Sequence, residues 1–187
     1  IKRCEVAIIA EFKKANIVVK VARLEEETTM KESISFPPIR FKELVKEDWE
    51  DSAVYDYFSE TRFFFVVFKR DGEFYKLSHC KFWAMPYKDL NITVKKEWQR
   101  IHDTICDGVN FTTKKQKNGF IVSNNLPGMA DGEILHIRPH AKKRAYRLKN
   151  GFEIGDINKN ARELPNGEFM TTQSFWINSS YIKHEII

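Results

Sequence analysis

Apolar positions along this chain fall into short blocks separated by charged or turn-forming residues, and the spacing within each block predicts its element. Between Val6 and Leu24 lie two brief β-branched runs, VAII and NIVVKVARL, each the length of one strand. A charged stretch, EEETTMKES, leads to ISFPPIRF, where Pro37 and Pro38 rule out a regular helix or a central strand. In FKELVKEDWEDSAVYDYF, Leu44, Val45, Trp49 and Val54 recur at an interrupted helical spacing, which predicts a helix. Residues 63 to 68 are continuously apolar, the pattern of a strand covered on both faces. Asp71-Gly72 then supplies a hairpin turn, and EFYKLSHCKFWAM the returning antiparallel strand.

The second half alternates in the same way. TVKKEWQRIHDTICDG places Trp98, Ile101 and Ile105 on one helical face and ends at Gly108, a C-terminal cap. KKQKNGF contains an Asn-Gly turn before the strand FIVS, NNLPGMADGE is a loop, and ILHIRP a short strand. HAKKRAYRLKNG reads as a basic helix ended by Gly151, and the last two dozen residues as a turn, a strand and a terminal helix. Helices interleaved with a parallel and antiparallel mixture of strands define an α/β fold with a mixed central sheet flanked by helices. With no repeat and no low-complexity linker, the expectation is one domain over residues 1–187.

Composition adds a direction. The 187 residues are 42% hydrophobic and include 15 phenylalanines, enough for an aromatic core, and the formal charge of +5 favours polyanionic partners. Cys4, Cys80 and Cys106 form no CxxC pair, so a zinc site or disulfide framework is not expected; reduced, buried thiols in a cytoplasmic protein are. No apolar run is long enough to span a bilayer, and the start lacks a signal-peptide pattern. It also lacks an initiating Met, which suggests a fragment of a longer chain.

The chemistry concentrates in two places. From Ile134 to Phe152 the chain carries Arg138, Lys142, Lys143, Arg144, Arg147 and Lys149 with His136 and His140, and no acidic residue. Several cations on one surface are what phosphate neutralisation requires, and Lys114, Lys115 and Lys117 extend the set. A solvated helical face is the plain alternative. His136 and His140 have the four-residue spacing of helical metal ligands, but Pro139 lies between them in a strand-like stretch, so no metal site is expected. His79 and Cys80, adjacent on a strand, point to opposite faces and cannot activate each other.

The other place is AEFKKANIVVKV, residues 10 to 21. Metal-dependent nucleases of the PD-(D/E)xK class hold Mg²⁺ between an acid in a turn and an acid on the following strand. A lysine two residues beyond the second acid, on the same strand face, orients the attacking water. Here Glu11 takes the first position and Lys20 the last, while Val18 stands where the second acid belongs. Valine offers no lone pair to a cation that takes oxygen ligands.

Four segments in order resemble the MutH family of GATC-specific endonucleases: EFKKANIVVK, the helix EWQRIHDTICDG, ILHIRPHAKKRA with its Ile-Arg-Pro core, and LPNGEFMTTQSFWINSSYI with its Leu-Pro-x-Gly start. The resemblance implies a restriction-endonuclease-like fold and places Arg138, Pro139 and His140 in the DNA-reading segment, His140 replacing the family's base-contacting lysine. It implies that Lys142, Lys143 and Arg144 flank phosphates, with Arg147 further along the same DNA-binding stretch, and that Met170 lies where the family has a tyrosine. Sau-type enzymes of the family carry two MutH-like halves, and a chain that keeps the basic segment but lacks the acid is similar to the degenerate C-terminal half. The implied function is binding of GATC-containing duplex DNA without cleavage, the N-terminal half holding Mg²⁺ and this domain taking no cofactor. Two other readings stay open: an active nuclease in which Glu25 or Glu26 replaces the missing acid, and a structural dimerisation domain.

Overall fold

The computed structural model describes residues 10–25, 30, 33–117 and 119–187. Helix α1 (Ala10–Lys14) turns at Asn16, whose backbone is left-handed at φ 49°, into strand β1 (Ile17–Leu24). After β2 (Ile34–Pro38) come two short helices, α2 (Phe41–Leu44) and α3 (Ala53–Glu60), with a single 3₁₀ turn at Trp49–Asp51 between them. The hairpin β3 (Arg62–Asp71) and β4 (Phe74–Trp83) follows. A three-residue turn α4 (Tyr87–Asp89) and a π-helical turn then lead into α5 (Lys95–Asp107).

Next are the hairpin β5 (Phe111–Gln116) and β6 (Gly119–Asn124), and β7 (Leu135–Pro139). The remaining elements are β8 (Tyr146–Arg147), β9 (Glu153–Ile154), α6 (Ile157–Asn160), β10 (Ala161–Glu163), β11 (Phe169–Thr171), β12 (Gln173–Ile177) and α7 (Ser179–Ile186).

The fold is mixed α/β, as the alternating pattern required. Among the described residues the expected central sheet is divided into four hydrogen-bonded sheets: β1-β3-β4, β2-β12-β7, β10-β11-β8-β9 and the β5-β6 hairpin. The first is mixed, β1 running parallel to β3 and β3 antiparallel to β4. Pro37 and Pro38 do place β2 at a sheet edge, where a missing donor costs nothing. Gly72, at φ 60°, makes the β3–β4 turn.

The core forms where these sheets meet the helices. Phe63, Phe65 and Val67 alternate into it from β3, Ala22 and Leu24 from β1, and Trp98, Ile101 and Ile105 from α5. Burying an aromatic or branched side chain stabilises by about 1.5–3 kcal/mol, so these positions anchor the framework. The expectation that β3 is covered on both faces fails: Phe64, Val66 and Phe68 on its other face are only half-buried, beside exposed Val21 and Phe82.

Three other expectations are corrected. The 41–58 helix is broken into α2, a 3₁₀ turn and α3, because Ser52 caps a new helix by accepting from the Tyr55 amide at 3.1 Å. The basic helix at 140–151 is a loop followed by β8, since Ala145, Tyr146 and Leu148 are buried at strand-like and turn positions. Cys80 and Cys106 are free and exposed rather than buried. The VAII strand and Cys4 lie outside the described residues, and no described helix is long and apolar enough to cross a membrane.

Candidate nucleic-acid interface

Strand β7 carries the Ile-Arg-Pro segment and is fixed at both ends. At its start the Glu97 carboxylate of α5 accepts hydrogen bonds from the backbone amides of Glu133, Ile134 (3.3 Å) and Leu135 (2.7 Å). At its end the His140 amide donates to the Thr172 carbonyl at 2.8 Å. Antiparallel pairing with β12 sets Arg138 opposite Ser174 and His136 opposite Trp176. Alternation then divides β7: Leu135 and Ile137 enter the core, while His136, Arg138 and His140 share the other face with Ser174 and Trp176.

His136, at the inner end of that face, is fully buried, and among the described residues neither ring nitrogen has a partner of hydrogen-bonding geometry, although Asn178 lies alongside. Burial is the main reason its pKa falls below the ordinary histidine value. Arg138 and His140, toward the strand end, are exposed. The Arg138 guanidinium carbon sits 4.3 Å from the centroid of the Trp176 ring, and His140 Nδ1 shares a 2.8 Å hydrogen bond with Ser174 Oγ.

The basic loop after Pro139 is held against the body by Thr171. Its hydroxyl accepts from the Ala145 amide at 3.0 Å and donates to the Ala145 carbonyl at 3.2 Å. Gly155, at φ 79°, allows the loop to close over it, because a Cβ there would lie 2.2 Å from the Arg144 carbonyl oxygen. Lys142 and Lys143 project from this loop, exposed and unpaired by any carboxylate among the described residues.

The other loop cations have occupations. Arg144 donates to the Phe120 carbonyl, tying the loop to the β5-β6 hairpin and bringing exposed Lys114, Lys115 and Lys117 to the same region. Arg147 forms a two-pronged ion pair with Glu153, at 2.7 and 3.2 Å, and lies over the Phe169 ring. The pair raises the Arg147 pKa and lowers that of Glu153. Arg147 is therefore already paired with a carboxylate, and Arg144 is engaged by a backbone carbonyl.

Met170 requires a clear correction. It is fully buried in the hydrophobic core and cannot touch a duplex in this fold. Ser174 and Trp176 were missed. The signal was the short polar-apolar alternation QSFWI, legible only once its pairing with β7 is known.

The nuclease-like stretch folds around β1. Val18 and Lys20 lie on the same inward face as buried Ala22 and Leu24. Val18 packs against the core, and the Lys20 ammonium donates to the Ser35 carbonyl at 3.3 Å beside the Phe36 ring. Burial lowers the Lys20 pKa. Glu11 is exposed on α1.

The alternative acid Glu25 hydrogen-bonds to Arg70 and Tyr75, both at 3.0 Å, from the position after the strand's end. Its parity places it on the sheet face opposite Lys20. Glu26 lies outside the described residues. A Mg²⁺ between Glu11 and position 18 would need an oxygen where Val18 presents methyl groups, so the donor set does not fit the metal that the PD-(D/E)xK arrangement requires.

The features are a mixed α/β fold with a cation-rich end to β7 and a lysine on β1 whose neighbour two positions earlier on the same face is Val18. No family model matches the chain. Over 193 aligned residues, covering 95% of the chain, it is 36% identical to the type II restriction enzyme Sau3AI of Staphylococcus aureus. The chain is therefore similar to a portion of a Sau-type restriction enzyme, and it spans about 40% of the length of the curated relative it matches.

Proposed function

We propose that residues 1–187 form one restriction-endonuclease-like domain that binds duplex DNA containing GATC and does not itself cleave it. In this reading the domain is the C-terminal, second-site half of a type II restriction endonuclease acting in the cytoplasm. The catalytic N-terminal half of the same protein supplies Mg²⁺ and cuts. Arg138 and His140 face base edges from the end of β7. Lys142, Lys143 and the hairpin lysines contact phosphates, which position the duplex without specifying sequence. Pro139 ends the strand.

The observation that carries the non-catalytic reading is Val18: an apolar side chain packed on the core at the position from which a carboxylate would reach both a metal and Lys20. An effector role further requires that DNA be bound differently in two states of the whole enzyme.

The test is competition between GATC and scrambled duplexes for the purified chain, with Ca²⁺ and with chelator. Binding is expected in both conditions, with preference for GATC and a steep loss of affinity as salt rises. Binding that depends on Ca²⁺ would overturn the proposal, because it would show a metal site at the DNA.

A further inference from the structure

We propose that Trp176 and Ser174, from β12, are positioning residues for base recognition, holding Arg138 and His140 in reading geometry before DNA arrives. The inference rests on the DNA-binding reading above and adds to it the residues on which discrimination depends.

Arginine has a long, rotamer-rich side chain, and bidentate contact with guanine requires its planar fork at one orientation. Arg138 is exposed, and no carboxylate among the described residues constrains it. What constrains it is the Trp176 ring, 4.3 Å from the guanidinium carbon and one diagonal step away on the same sheet face.

The same indole meets the His140 ring edge-on, with centroids 5.3 Å apart. Ser174, fully buried, fixes His140 Nδ1 at 2.8 Å, and that leaves Nε2 as the ring nitrogen for an outside partner. Two side chains of β12 therefore organise both candidate reading residues of β7. Both are planted beside the core, so their positions are set by the fold rather than by the ligand. Among the described residues the phosphate-facing Lys142 and Lys143 have no such support, as suits groups that need only charge.

The experiment compares wild type with Trp176→Phe, Trp176→Leu and Ser174→Ala, measuring affinity for a GATC duplex and a scrambled duplex of equal length. NMR of the free protein provides a second readout: a guanidinium stacked on an indole has ring-shifted side-chain protons, so Arg138 Hδ resonances are expected upfield in wild type and Trp176→Phe but not in Trp176→Leu.

Leucine keeps apolar bulk but has no π face, so Trp176→Leu is expected to lower the GATC preference about three- to fivefold, with scrambled-duplex affinity within about twofold of wild type. Trp176→Phe is expected to keep the preference, and Ser174→Ala to reduce it. An equal fall on both duplexes in Trp176→Leu, an unchanged preference in that variant, or an unshifted Arg138 in wild type overturns the inference while leaving DNA binding intact. Duplex binding by wild type without sequence preference also overturns it alone. Failure of wild type to bind duplex overturns the DNA-binding reading together with it.

Discussion

Replacing Glu97 by alanine removes one carboxylate from three backbone amides at the start of β7. The donors are Glu133, Ile134 and Leu135, and they lie where the chain leaves the 125–132 loop and enters β7. A hydrogen bond to a charged group contributes about 1.5–3 kcal/mol, and donors left buried without a partner cost a similar amount. Glu97 is half-exposed and water can reach the outermost amide. The expected destabilisation is therefore about 3 kcal/mol rather than the full sum. Glu97→Gln keeps a neutral acceptor at the same reach and is expected to cost about 1 kcal/mol.

Urea unfolding reads both values from the midpoint at unchanged slope. In a thermal scan the alanine variant is expected to melt roughly 6–12 °C lower, at about 2–4 °C per kcal/mol for a chain of this size. The displacement of β7 is also expected to weaken GATC binding more than scrambled binding, since Arg138 lies on the same strand. An alanine variant within about 1 kcal/mol of wild type would show that the three amides find water or other acceptors at no cost, and the anchoring role of Glu97 would then be wrong.

Other consequences follow from residues already placed. Met170→Ala is expected to cost about 2–5 kcal/mol of stability in denaturant titration with no change in DNA affinity of the folded protein, because the side chain is core. Lys143→Ala is expected to weaken all duplexes alike and reduce the salt slope by about 1, whereas Arg147→Gln is expected to leave the slope unchanged because Glu153 already holds that charge. His136, whose pKa is depressed by burial, is protonated in the unfolded chain before the folded one. Stability is therefore complete above the ordinary histidine pKa of about 6.5 and declines as pH falls below it. Urea midpoints between about pH 5 and 7 are expected to show that limb, flattened in His136→Leu. Val18→Glu is expected to confer Mn²⁺ binding measurable by calorimetry, because it restores an oxygen donor on the face that carries Lys20.

Local pattern made the β3–β4 hairpin, α5 and β7 legible in advance: a continuous apolar run over 63–68 before an Asp-Gly turn, and Trp98, Ile101 and Ile105 at three and four, whereas the fold was needed to show that Phe63, Phe65 and Val67 take the core face of β3. The basic segment was legible as charge but not as geometry. A run of lysines and arginines is compatible with a helix, and what prevents one is tertiary: Thr171 pins the Ala145 backbone, and β9 and β11 take Tyr146 and Arg147 as a strand.

The division of labour among the cations was illegible for the same reason. Glu153 and the Phe120 carbonyl, which occupy Arg147 and Arg144, become neighbours only when the chain closes. Met170 misled because alignment by motif order says which residue stands at a position but not which way it faces. Val18 was singled out by sequence as an apolar residue two positions before Lys20. Its packing on the core, the carbonyl partner of Lys20 and the diversion of Glu25 to Arg70 needed the fold.

The proposal stands or falls on whether this domain holds DNA and leaves it whole. The direct measurement incubates the purified chain with a labelled GATC duplex and Mg²⁺, and resolves bound complex and strand integrity in parallel from one reaction. Retarded duplex with both strands intact is the expected result. Specific strand cleavage that disappears in Glu11→Ala would overturn the proposal.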